Sequence, residues 1–102
     1  MARKDAIHQM VKNALVKDGW TITAEDYEIV FEERRVFADI AAEKNIAAEK
    51  DGTKIAVEVK SFGSPSLMSE FEKALGQYTI YVNFLSVIEP ERKVFMAVGE
   101  TT

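Results

Sequence analysis

Apolar residues near the N-terminus recur at helical spacing. Ile7, Met10, Val11, Ala14 and Leu15 follow an i, i+3, i+4 pattern and predict a helix over 4 to 18, with Gly19 as its stop. Asp5 near its start suits the positive end of the helix dipole. Trp20 and Ile22 are expected to fold back onto the core. The period then changes. Tyr27 to Phe31 has the aromatic and β-branched content of a strand. Glu32-Glu33-Arg34-Arg35 reads as a charged turn, and Val36 to Ile40 resumes strand character. Ala41 to Asn45 breaks the alternation and predicts a bulge or kink. Ile46 to Lys50 and Thr53 to Ser61 pair across Asp51-Gly52, a strong two-residue hairpin signal. That register sets Lys54 opposite Glu49 and Glu58 opposite Asn45. Alternation puts Ile55, Val57 and Val59 on one face and Ala56, Glu58 and Lys60 on the other.

After the loop FGSPS (62 to 66), Ser64 can cap a helix that has Pro65 at its first position. The helix is expected over about 65 to 86, with a wide apolar stripe that includes Leu67, Phe71, Ala74, Tyr78, Tyr81 and Leu85. Gly76 in its middle is expected to kink it or to admit another element closely. Pro90 marks a turn, and Lys93 to Val98 is a last strand. The order α-β-β-β-α-β predicts an α/β fold: a mixed sheet flanked by helices, with the last strand parallel to the strand before the long helix.

Length and composition narrow the function. The 102 residues suffice for a single domain, 1–102, and 47% apolar content argues against disorder. With no cysteine and one histidine, zinc ribbons, thiol catalysis and a His-cluster site within one chain are excluded. No long apolar run suggests a membrane span or signal peptide, so a cytoplasmic location is expected. A net charge of −4 argues against coating nucleic acid by bulk attraction. Between 34 and 60, however, Arg34, Arg35, Lys44, Lys50, Lys54 and Lys60 slightly outnumber the acids and leave room for a local contact surface.

The chemistry concentrates there. Asp39 lies upstream of the triplet Glu58-Val59-Lys60. Two carboxylates and an ammonium gathered at a bent sheet are what metal-assisted phosphodiester cleavage requires. The acids hold Mg²⁺, and the lysine positions or polarises the attacking water. Glu-x-Lys alone is a weak signal, because any half-exposed strand alternates apolar and charged residues. The separate acid, the intervening hairpin and the following helix sharpen it.

This pattern resembles the PD-(D/E)xK superfamily with its restriction-endonuclease-like fold. More narrowly, AAEKNIAAEKDGTKIAVEVKSF and EKALGQY resemble the fdxN element excision-controlling factor family, XisH type, of cyanobacteria. The resemblance implies Asp39 and Glu58 as metal ligands, with the Val59 carbonyl completing the set. It gives Lys60 to the water, and Gln77 to Lys60, the water or a phosphate, a surface glutamine being the plain alternative. It departs from the superfamily in the first helix, where Asp5, His8 and Gln9 stand in place of a usual Glu. Glu43 and Glu49 remain rival ligands. Arg34 and Arg35 suit a DNA backbone or a solvated turn, and Tyr78 and Tyr81 suit core or interface. Members of the family are expected to extend past GETT, so truncation, or a missing final helix and strand, is an expectation here.

Three functions follow. The first is an accessory factor for excision of a DNA element during heterocyst development, with DNA, a site-specific recombinase and a second small excision factor as partners. The second is an active Mg²⁺-dependent endonuclease or resolvase. The third is a non-catalytic protein-interaction module. A homo-oligomer is expected, because cutting two strands needs two sites.

Overall fold

The computed structural model describes residues 2–45, 52–62 and 67–100, with backbone alone for 2–5, 61, 62, 67 and 100. Its elements are α1 (Ala2–Lys17), β1 (Thr21–Phe31), β2 (Arg34–Lys44), β3 (Thr53–Phe62), α2 (Leu67–Ile88) and β4 (Arg92–Glu100). The four strands form one sheet in the order β1-β2-β3-β4. The first three are antiparallel, and β4 runs parallel to β3. A parallel neighbour needs a crossover, which α2 supplies.

Each face of the sheet carries one helix. Ile40, Ala42, Ile55, Val57 and Val59 pack under Ile7, Val11 and Leu15 of α1, with Trp20 and Ile22 folded onto them as the apolar pattern implied. Gly19, at φ 97°, ends α1 in the left-handed conformation that glycine adopts freely. On the opposite face, Ile29, Ala38 and Ala56 pack against Tyr81 and Leu85 of α2. The two faces of β3 are therefore divided as its alternation predicts, with Glu58 and Lys60 on the α2 side.

Several local expectations are corrected. Arg34 and Arg35 are not in the turn: they pair with Phe31 and Val30, and only Glu32-Glu33 turns. No bulge interrupts 41 to 44, because Ala41, Ala42, Glu43 and Lys44 pair without a break with Ala56, Ile55, Lys54 and Thr53. A central strand buried on both faces has no need to alternate, and the alanines fit between two packed layers. The irregularity sits one strand away, between Ile22 and Ala24 of β1. Lys54 is opposite Glu43 rather than Glu49, and Asn45 does not face Glu58. The expected strand Ile46 to Lys50, Asp51 and the Ser64-Pro65 cap lie outside the described residues. Gly76 receives no close neighbour, since a Cβ there would meet nothing within 4 Å.

Candidate functional site

Where β2 and β3 part, the sheet opens a gap. Their pairing ends at Ile40 and Val57, although β2 continues back to Arg34 and β3 on to Phe62. One step past the last pair, the register brings Asp39 to the level of Glu58. Both strands of the β1–β2 hairpin turn over here. Ala38 packs on the α2 face and Ile40 on the α1 face, and Asp26 of β1 takes a left-handed φ of 51° between Glu25 and Tyr27.

Parting leaves ladder groups of β3 without partners, and Asp39 takes one of them. Its Oδ2 accepts the Val59 N–H at 2.7 Å. The N–H and C=O of a strand residue point to the same edge, so the Val59 carbonyl faces the same gap. Glu58 is only 5% exposed. Its Oε2 lies 3.3 Å from the Lys60 ammonium, and its Oε1 lies 3.3 Å from the Tyr81 hydroxyl. That hydroxyl donates to the Phe37 carbonyl at 2.7 Å, which ties α2 to the departing end of β2. Burial and the neighbouring Asp39 hold the Glu58 carboxyl above its ordinary range, against the pull of Lys60. Burial, with Glu58 and Asp39 close by, pushes the Tyr81 phenol up as well.

The structure thus brings Asp39, Glu58, Val59 and Lys60 together. Gln77 sits one helical turn before Tyr81 on the inner side of α2, and its buried Oε1 has no hydrogen-bond partner among the described residues, whereas Lys60 turns to Glu58. Two turns farther back, Glu70 Oε2 is likewise buried without a partner among the described residues. Tyr81 was legible from the sequence only as core or interface. The signal for more was its polar end, because a buried tyrosine hydroxyl needs a partner. The other candidates that are described lie elsewhere. His8 and Lys12 grip Glu25 at 3.0 and 2.7 Å. Glu43 Oε2 is 3.6 Å from Arg92, which is buried. The Asp5 side chain and Glu49 lie outside the described residues.

The remaining donors suit a hard cation. They are all oxygens, and the Asp39–Glu58 repulsion that adds to burial in raising the Glu58 carboxyl is what a divalent ion would relieve. Among the described residues no three His, Cys, Asp or Glu side chains converge. Two carboxylates and a carbonyl would therefore leave coordination positions to water or to a phosphate.

This geometry defines a class: an α/β domain, with a four-stranded mixed sheet between two helices, that displays an acid pair and a lysine where adjacent strands diverge. Comparison narrows it. The XisH protein family matches residues 1–102, and the chain belongs to that family. An XisH family protein from Nostoc punctiforme PCC 73102 superposes with a TM-score of 0.78 at 45% identity, over 90% of this chain and 67% of the other. A fdxN element excision controlling factor protein from Anabaena variabilis gives 0.78 at 44% identity, over 92% of this chain and 68% of the other. No curated protein matches the chain.

Proposed function

We propose that this chain is an accessory factor that controls excision of a DNA element of the fdxN type, built on a PD-(D/E)xK nuclease-like fold. The family membership and the name carried by the Anabaena relative support the excision role. A single observation carries the nuclease-like reading: Asp39 is fastened to the Val59 N–H directly across from Glu58, with Lys60 beside it. In this reading Asp39, Glu58 and the Val59 carbonyl hold Mg²⁺, which supplies Lewis-acid stabilisation of a phosphate when bound. Lys60 orients the water or neutralises a phosphate oxygen, and Gln77 offers its buried Oε1 to the same space. A site-specific recombinase and a second small excision factor are the expected partners, and heterocyst differentiation in the cytoplasm is the setting the family implies.

The charge pattern adds a condition. Arg35, Lys44, Lys54 and Lys60 each lie within 4 Å of a carboxylate, at 3.0, 3.4, 3.8 and 3.3 Å. The basic stretch seen in the sequence is therefore largely neutralised by acids, most of them from other parts of the chain. Attraction for DNA then depends on the bound cation, and DNA affinity should appear with Mg²⁺ and weaken with salt.

The second reading, an active endonuclease, is favoured by the position of Lys60 against Glu58. Incubating the protein with plasmid and branched DNA in Mg²⁺ or Mn²⁺ separates the two. Cation-dependent DNA binding without cleavage, lost in Asp39→Asn, supports the accessory role. Cleavage abolished by Lys60→Ala, in a variant that still folds and binds cation, supports the enzyme. Binding of neither DNA nor cation by the wild type would leave a protein-interaction module and overturn both.

A further inference from the structure

We propose that Tyr81 is a positioning residue of the carboxylate site: its hydroxyl braces the gap between β2 and β3 and fixes how far Asp39 and Glu58 stand apart. The inference deepens the reading of that site as a cation site and rests on it. Among the described residues no rung joins β2 to β3 beyond Ile40 and Val57. Two side chains bridge the strands there instead. Asp39 of β2 accepts the Val59 N–H of β3 at 2.7 Å. From the α2 layer, the Tyr81 hydroxyl meets both strands, at 2.7 Å from the Phe37 carbonyl of β2 and 3.3 Å from Glu58 Oε1 of β3. A phenol has one proton to give. The shorter contact takes it, so the anchored point is Phe37, two residues before Asp39, and Glu58 packs beside the same oxygen.

The brace is stiff because the sequence builds a seat for it. Ala74, Tyr81 and Leu85 recur at helical spacing and are all buried, which sets them on the inner side of α2. Against the ring stand Ala38 of β2 and Ala56 of β3, neither more than 1% exposed. Two alanines leave an aromatic ring room to reach down to the sheet, where a larger pair would lift the hydroxyl off the Phe37 carbonyl. Ile29 and Leu85 complete the cluster, and Tyr81 itself is 3% exposed. A ring so enclosed keeps its rotamer, and its hydroxyl becomes a fixed point. Satisfying a buried phenol takes only one partner. Tyr81 instead has a contact on each of the two strands that carry the acids. The consequence falls on cation binding. Two carboxylates that share a hard ion must keep a set spacing, and Mg²⁺ tolerates less departure from its ideal cage than Ca²⁺ does. Groups that hold ligands in place without touching the ion therefore govern affinity nearly as strongly as the ligands.

Tyr81→Phe keeps the ring and removes the brace. Ile29→Val thins the same cluster without touching the hydroxyl and controls for lost packing. Calorimetric titration with Mg²⁺ should show affinity reduced by about 10- to 100-fold in Tyr81→Phe and unchanged in Ile29→Val. Ca²⁺ affinity should fall by a smaller factor, because Ca²⁺ accepts a looser cage. In cation-free protein the Val59 amide should exchange with solvent roughly tenfold faster in Tyr81→Phe than in Ile29→Val, since Asp39 then swings off it. Equal Mg²⁺ affinity in the wild type and Tyr81→Phe, an equal loss in both variants, or equal Val59 exchange in the two overturns the brace. A wild type that binds no divalent cation overturns the cation site itself, and the exchange comparison then decides the brace alone. Should Tyr81→Phe fail to fold, the wild type decides. Saturating Mg²⁺ should shift the Tyr81 ring resonances and spare those of Tyr27, whose hydroxyl is bound to Glu89. An unmoved Tyr81 overturns the brace.

Discussion

Glu58 stands in a place that resists charge: it is buried, and Asp39 stands across the strand gap. The folded protein therefore holds the Glu58 proton more tightly than the unfolded chain does. By linkage, stability falls as the pH rises from about 4 through the raised folded pKa. Glu58→Gln removes that charge and keeps a polar group beside the Tyr81 hydroxyl. Thermal unfolding in the absence of divalent cation should show a higher midpoint for Glu58→Gln at pH 7, with the gain vanishing near pH 4. If saturating Mg²⁺ raises the midpoint of the wild type but not of the variant, the stored repulsion is what the cation relieves.

At the scale of elements, two glycines make opposite demands. Gly76 lies mid-helix in α2, with open space where a Cβ would stand. It contributes backbone entropy to the unfolded state and no contact to the folded one, so Gly76→Ala should stabilise by about 0.5–1 kcal/mol. Gly99 of β4 faces α1, and a Cβ there would come within 2.6 Å of Ile7 Cδ1 and 3.0 Å of both its Cγ atoms. Gly99→Ala must push α1 off the sheet or force Ile7 out of its rotamer, at a cost of about 1–3 kcal/mol. Urea unfolding of both variants tests the pair. A neutral Gly99→Ala would mean that α1 does not sit so close to β4.

Across the whole molecule, the polar centre that ties the elements together is Arg92. It is 6% exposed, donates to the Ile55 carbonyl at 2.8 Å, and forks onto Glu89 at 2.9 and 3.2 Å. Its guanidinium lies 4.7 Å from the Tyr27 ring centre, and the Tyr27 hydroxyl donates to Glu89 at 2.6 Å. With Glu43 at 3.6 Å, one side chain of β4 touches all three other strands and the end of α2. Arg92→Ala leaves Glu89 with the Tyr27 hydroxyl alone and strips the Ile55 carbonyl of its side-chain donor, and should cost about 3 kcal/mol. The denaturation midpoint measures the loss, and an effect below 1 kcal/mol would show that water replaces the guanidinium freely.

The element order, the two faces of β3 and the residues of the site were legible in the chain, because hydrophobic period and strand alternation are local properties. Register was not. An Asp-Gly turn drew the eye to a short hairpin, and the alanine pair looked like a break. Only a strand covered on both sides makes an unbroken run of small residues the natural choice, and that cover comes from helices distant in sequence. The same limit hid Arg92 and the polar role of Tyr81, whose partners lie 37 and 23 residues away at Ile55 and Glu58. Sequence determined which groups face the α2 layer. The divergence of β2 from β3, a tertiary event, decided that Asp39 would stand against Glu58 instead of joining the ladder.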